Sequence, residues 1–139
     1  LIKKILKKKI ILGCVQFGTP YGILNNQMKV PTFKEINKIF TYLEKKKIYN
    51  IDTAEAYNFN FNRIKNIKKF QINTKIKNET NLNYSRYNCI FIHNGDCIYS
   101  KKNKNLYKKL TLLKQQKKIK KIGISIYNFK KINKILKDL

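Results

Sequence analysis

The segment PTFKEINKIFTYLEKKKIYNIDT, residues 31–53, predicts a helix followed directly by a strand. Thr32 and Glu35 have the spacing of a capping box, in which each side chain bonds the backbone of the other residue at the start of a helix. Apolar residues then fall on one helical face, at Ile36, Ile39, Phe40 and Leu43. Residues 48–53 form a short apolar run that leads into a polar loop, as a strand does. The segment therefore predicts one helix–strand unit of an α/β fold.

The same alternation continues on both sides of this segment. Further strands are predicted at residues 10–15, 70–76, 89–93 and 119–126. Apolar residues at helical spacing predict three more helices: a short one with Phe61, Ile64 and Ile67 that ends near Lys69, one with Leu106, Leu110 and Leu113, and a closing one with Ile132, Ile135, Leu136 and Leu139 behind Asn128 as its cap. Strands that alternate with helices predict a parallel sheet, because each crossover has to return along the sheet before the next strand begins.

Lysine dominates the charge of the chain. The 139 residues suffice for one domain, and 32 Lys and Arg against 7 Asp and Glu give a net charge of +25. Lys, Ile and Asn fill 70 positions, and their codons consist almost wholly of A and T, so we interpret the charge as a by-product of gene composition. Arg, the residue suited to bidentate phosphate and guanine contacts, occurs only twice. We therefore expect no specific nucleic-acid partner; the alternative is a lysine-rich protein that binds nucleic acid or another anion.

The cysteines indicate a reducing compartment. Cys14, Cys89 and Cys97 form no CxxC pair, and their odd number leaves one unpaired, which favours a cytoplasmic protein over a secreted disulfide scaffold. Residues 1–12 interrupt short apolar pairs with lysines, and no run approaches the ~20 apolar residues of a membrane span, so we expect neither a signal peptide nor a membrane partner. Along one strand Cys89 and His93 would lie ~13 Å apart, so no metal site is predicted.

Three ionisable residues fall at the ends of consecutive predicted strands. Asp52 closes the second strand, Lys75 the third and His93 the fourth, and parallel α/β folds place their sites at the carboxyl ends of their strands. Tyr57 follows five positions after Asp52, in a loop at the same edge. Taken singly, each residue also has an ordinary structural interpretation: a turn former, a solvated lysine, a strand-end histidine and a loop-covering aromatic. Together the four predict a catalytic site.

Five stretches occur in an order that matches a known family. They are LGCVQFGTPYGILNN at 12–26, IDTAEAYN at 51–58, the strand end Thr74-Lys75, CIFIHNGD at 89–96 and KIKKIGISIYN at 118–128. In order and character they resemble the aldo/keto reductases, most of all the bacterial branch with a VQFG and YGI opening. The resemblance implies a (β/α)8 barrel of the TIM type, NADPH or NADH as the cofactor, and the reversible reduction of an aldehyde or ketone to an alcohol.

The resemblance also implies the roles of individual residues. The family's catalytic tetrad carries over onto Asp52, Tyr57, Lys75 and His93. Tyr57 would give a proton to the alkoxide that hydride transfer leaves, and a positive charge on Lys75 within ~4–6 Å would favour the phenolate. Asp52 would orient that ammonium, and His93 would bond the carbonyl oxygen of the substrate. By the same resemblance Gly13 and Ser125 are cofactor-binding residues, with Ser125 at the nicotinamide carboxamide.

The length of the chain sets an expectation about its extent. A (β/α)8 barrel needs ~250 residues, whereas the sequence contains five predicted strands. We therefore expect residues 1–139 to form a single partial barrel domain, the N-terminal half of an aldo/keto reductase, that is inactive by itself. A catalytically inactive fragment or a degenerate reductase is the alternative. A sheet with exposed edges also predicts self-association.

Overall fold

A five-stranded parallel sheet organises the chain. The computed structural model describes residues 10–80 and 83–138. The strands are β1 (Leu12–Gly13), β2 (Asn50–Asp52), β3 (Gln71–Ile76), β4 (Tyr87–Ile92) and β5 (Ile122–Ile124), and they lie in the order β1-β2-β3-β4-β5. Strand β1 pairs with β2, β2 with β3, and β4 with β5, and each of these pairs is parallel. The predicted α/β fold with a parallel sheet is confirmed.

Among the described residues, three α-helices and several short 3₁₀ helices accompany the strands. The α-helices are α1 (Phe33–Lys46), α2 (Lys101–Gln115) and α3 (Ile132–Asp138). At the start of α1 the Thr32 hydroxyl accepts a hydrogen bond from the Glu35 amide at 3.3 Å, and the Glu35 carboxylate accepts one from the Thr32 amide at 2.7 Å. The predicted capping box is therefore confirmed. Helix α1 ends at Lys46, because the next residue, Lys47, has a left-handed φ of 56°.

The chain divides into two compact units, one ending at Asn73 and the other beginning at Thr74. In the first unit α1 buries the predicted residues Ile36, Phe40 and Leu43, and the Phe40 ring lies 4.9 Å from the Phe70 ring in an edge-on contact. The core of the second unit is built of isoleucine and leucine from its strands, from α2 and α3, and from the loops that contain Ile98 and Ile119: Ile76, Ile90, Ile92, Ile98, Leu106, Leu110, Ile119 and Ile135.

Several predicted elements differ from the structure. The predicted short helix before Lys69 is absent; two 3₁₀ helices, Phe61–Arg63 and Ile67–Lys69, take its place, because Asn66 between them has a left-handed φ of 61°. Their apolar residues Phe61, Ile64 and Ile67 are nevertheless buried as expected. The first and last predicted strands shorten to the two residues of β1 and the three of β5.

The closing helix also differs from its prediction. Helix α3 buries Ile135, whereas Leu136 is 74% exposed and does not belong to the predicted apolar face. The Asn128 side chain accepts a hydrogen bond from the Lys130 amide at 3.0 Å, so it caps the 3₁₀ helix Phe129–Lys131 that precedes α3. Leu139, which was also predicted on this face, lies outside the described residues.

Candidate active site

In the first unit, Asp52 ends β2 and Tyr57 ends the short 3₁₀ helix that follows this strand. Asp52 is the last residue of β2, and its carbonyl accepts a hydrogen bond from the Cys14 amide at 2.9 Å, next to β1. Tyr57 ends the 3₁₀ helix Glu55–Tyr57, and its amide donates to the Ala54 carbonyl at 3.0 Å. Both Asp52 and Tyr57 are half-buried. The backbone therefore holds both residues at the carboxyl end of β2, where they were predicted.

The loop after β1 packs directly on the backbone of Tyr57. A Cβ atom built on Gly18 would lie 2.0 Å from the Tyr57 carbonyl oxygen and 2.9 Å from that of Asn58. The Thr19 hydroxyl donates a weak hydrogen bond to the same Tyr57 carbonyl at 3.5 Å. Only a residue without a side chain permits so close an approach. The sequence marks this position by Gly18, but the approach joins residues 38 positions or more apart in the chain, and sequence reasoning missed it.

In the second unit, Lys75 and His93 lie at the ends of neighbouring strands. Lys75 is the penultimate residue of β3, and His93 directly follows β4. The His93 amide donates to the carbonyl of Ile76, the residue after Lys75, at 2.9 Å. Among the lysines of residues 10–80 and 83–138, only Lys75 and Lys109 are half-buried. Lys109 lies in α2 and forms an ion pair with Glu79. Lys75 is therefore the half-buried lysine that lies in a strand of the sheet.

Ser125 is held one strand away from His93. It follows β5, and its amide donates to the Ile92 carbonyl at 3.0 Å while its own carbonyl accepts from the Gly95 amide at 2.8 Å. Both backbone groups of Ser125 are thus used within the fold. The half-buried side chain of Ser125 is therefore the part of this residue that could contact a ligand.

Gly13 lies at the carboxyl end of β1 in the first unit. It is exposed, and a Cβ atom built on it would meet no atom within 4 Å. Backbone with open space above it allows a flat ring to approach closely, and a hydroxyl such as that of Ser125 can bond a carboxamide. Each of the two residues therefore suits the cofactor contact that was predicted for it.

The part of the chain that the structure describes contains neither a cluster of metal-binding side chains nor a membrane-spanning helix. Among those residues, no three His, Cys, Asp or Glu side chains are grouped so that they could bind a metal ion. Cys89 is buried in β4, and Cys97 is exposed in the 3₁₀ helix Gly95–Cys97. No helix within the same residues has the length and apolar character to cross a membrane.

Comparisons with known proteins identify the fold. No family model and no curated protein matches the chain. A proposed aldo-keto reductase from Pseudomonas aeruginosa superposes with a TM-score of 0.57 at 20% identity, and the match covers 83% of this chain and 54% of that structure. A second structure, also of a proposed aldo-keto reductase from this organism, superposes with a TM-score of 0.64 at 18% identity and covers 92% of this chain and 58% of that structure.

These likenesses establish a shared fold. The chain has the strand order and parallel sheet of part of an α/β barrel, and it spans little more than half the length of the structures it resembles. The fold that the sequence resemblance implied is therefore confirmed.

Proposed function

We propose that the chain belongs to the aldo/keto reductases and that its reaction is the reduction of an aldehyde or ketone to an alcohol with NADPH or NADH. One observation carries the proposal: on a fold shared with proposed aldo-keto reductases, all four tetrad-type residues lie at the carboxyl end of a strand or in the loop that follows it. Asp52 and Tyr57 do so in the first unit, and Lys75 and His93 do so in the second. Barrels of this class carry their chemistry at that end of the sheet.

The four side chains supply the proton chemistry that the reaction needs. Bound NADPH or NADH supplies the hydride that reduces the carbonyl carbon. The oxygen atom then requires a proton, which Tyr57 donates from its phenol. Phenols ordinarily have a pKa of ~10 and donate poorly at neutral pH, so a nearby ammonium that favours the phenolate assists the transfer.

The remaining residues have supporting roles in this proposal. Lys75 provides the ammonium, and its partial burial in β3 supports the assignment because a screened surface lysine would act weakly. Asp52 orients Lys75. His93 donates a hydrogen bond to the carbonyl oxygen of the substrate and so fixes the face that accepts hydride. Gly13 and Ser125 bind the nicotinamide end of the cofactor.

The test compares two tyrosines in the longest open reading frame that contains the chain. Oxidation of NADPH is followed with 4-nitrobenzaldehyde as the substrate. We expect Tyr57→Phe to lower kcat by about 100-fold or more with little change in KM, because the ring stays and only the acidic proton is lost. Tyr42→Phe, which alters an exposed tyrosine of α1, is the matched control and should retain the wild-type rate.

Two results would contradict the proposal. One is a Tyr57→Phe variant with the wild-type kcat. The other is a folded wild-type protein that oxidises no NADPH or NADH with any of a panel of aldehydes and ketones. From residues 1–139 by themselves we expect weak nucleotide binding and no turnover, since a closed barrel of this class has eight strands and the described sheet has five.

A further inference from the structure

The loop after His93 is bonded to the loop after β5 through Asp96. The Asp96 carboxylate accepts hydrogen bonds from the backbone amides of Tyr127 at 2.9 Å and Asn128 at 3.2 Å. One residue earlier, the Gly95 amide donates to the Ser125 carbonyl at 2.8 Å. Residues 125–128 are therefore tied to residues 95–96 by three hydrogen bonds, two of which end on a negative charge.

The same loop is also held by helix α2. Asn103 of α2 is a buried polar residue, 6% exposed, and its amide group donates to the carbonyls of Asn94 at 2.9 Å and Cys97 at 3.0 Å. At Gly95 the packing leaves no space, because a Cβ atom would lie 1.9 Å from a methyl carbon of Ile124. The loop after His93 thus lies fixed between α2 and β5, and Asp96 projects from it toward residues 127 and 128.

We propose that Asp96 is a positioning residue for the cofactor: its carboxylate fixes the backbone after β5 and thereby the Ser125 side chain that contacts the nicotinamide. The inference rests on the proposed function, because it takes Ser125 as a cofactor ligand. A carboxylate suits the task since its two oxygens can accept from two adjacent amides, and such charge-assisted bonds are stronger than neutral ones. The Lys131 ammonium donates to the Asp96 carbonyl at 3.2 Å and joins the next turn of the chain to the same residue.

The test measures the hydrogen bonds and the nucleotide separately by amide NMR, in the longest open reading frame that contains the chain. Without nucleotide, the amides of Tyr127 and Asn128 should be protected from hydrogen exchange in the wild type and should lose protection in Asp96→Ala. With NADP⁺ as the probe, the wild type should show shifts at the Ser125 amide. Asp96→Ala should weaken NADP⁺ binding by about tenfold, as expected for loss of bonds to a charged acceptor.

Two further variants separate positioning from general stability and charge. Asp96→Asn keeps one acceptor oxygen, so it should recover part of the affinity, and it also keeps the test possible should Asp96→Ala fail to fold. Asp138→Asn removes the same charge from the second unit at a site where the carboxylate accepts from the Tyr99 hydroxyl, and it should bind NADP⁺ as the wild type does.

The outcomes distinguish this inference from the proposed function. Unchanged NADP⁺ affinity in a folded Asp96→Ala variant, or in Asp96→Asn where Asp96→Ala does not fold, with Ser125 shifts still present, overturns the inference and leaves the proposed function intact. A wild type in which NADP⁺ moves no resonance at Ser125 overturns the cofactor assignment, and the inference with it, even if exchange shows that the Asp96 bonds exist. Equal loss of affinity in Asp138→Asn would show an effect of charge and would also overturn the inference.

Discussion

Gly18→Ala is the substitution whose effect can be worked most directly from the structure. The new methyl carbon would lie 2.0 Å from the Tyr57 carbonyl oxygen, and the two atoms must separate by more than 1 Å to reach the 3.4 Å of an ordinary contact. The neighbouring atoms belong to the backbone of residues 57 and 58, so no flexible side chain can move aside. Strain from an added methyl group in a packed site typically costs about 1–3 kcal/mol.

The assay is thermal unfolding followed by circular dichroism. For a chain of this length that cost lowers Tm by about 3–10 °C. The matched control is Gly13→Ala, where a Cβ atom meets nothing within 4 Å and Tm should stay at the wild-type value. A Gly18→Ala protein with the same Tm as the wild type would refute the close approach of the loop after β1 to Tyr57. Since Gly18 has a φ of −131°, which alanine also adopts, the loss cannot be attributed to backbone conformation.

Three other predictions concern stability, charge and association. Hydrogen bonds from the side chain and backbone of Thr32 hold the pKa of the Glu35 carboxyl below its ordinary value of 4.5, so their stabilisation is present above that pH and is lost as pH falls through the lowered pKa. Thr32→Ala should therefore lower Tm at neutral pH. The difference in Tm between variant and wild type should become smaller at pH values well below 4.5. An equal difference in Tm at neutral and at low pH would contradict the capping box. Binding to DNA, measured by fluorescence anisotropy, should be independent of sequence and should disappear as salt rises, whereas sequence-selective binding at physiological salt would favour the nucleic-acid alternative. In the described sheet β1 and β5 each have one neighbouring strand, so each leaves an edge that can pair with another chain. Sedimentation velocity should show self-association that increases with salt concentration, because salt screens the net charge of +25. A monomer at every protein and salt concentration would contradict this prediction.

Local signals were sufficient for the elements that depend on neighbouring residues. Helix α1 was predictable because its cap and its apolar face lie within one short segment, and the structure reproduces both. The strand ends at Asp52 and His93 were predictable within a residue, because an apolar run gives way to polar residues there. The predicted site residues consequently lie at strand ends, or in the loops that follow them, in the structure as well.

The remaining features depend on contacts that no local pattern encodes. The segment before Lys69 carries apolar residues at helical spacing, yet Asn66 adopts a left-handed conformation and the spacing serves two 3₁₀ helices that bury the same side chains. The bonds from Asp96 to residues 127 and 128 span more than 30 positions. In the sequence Asp96 is one polar residue of a loop, and only the folded chain shows what its carboxylate holds.

The biased composition of the chain determines how well the sequence alone can identify each site residue. Bias toward Ile and Lys leaves the fold intact, because isoleucine supplies most of the buried core and no lysine of the described residues is fully buried. In the sequence, Lys75 is one of 30 lysines and carries little information, whereas His93 is the only histidine and Asp52 one of 7 acidic residues. The structure distinguishes Lys75 from the other lysines, because Lys75 is half-buried in β3 while nearly all other described lysines are exposed. The partial burial of Lys75 in β3 therefore distinguishes it from the exposed lysines of the described residues, a distinction that the sequence alone does not provide.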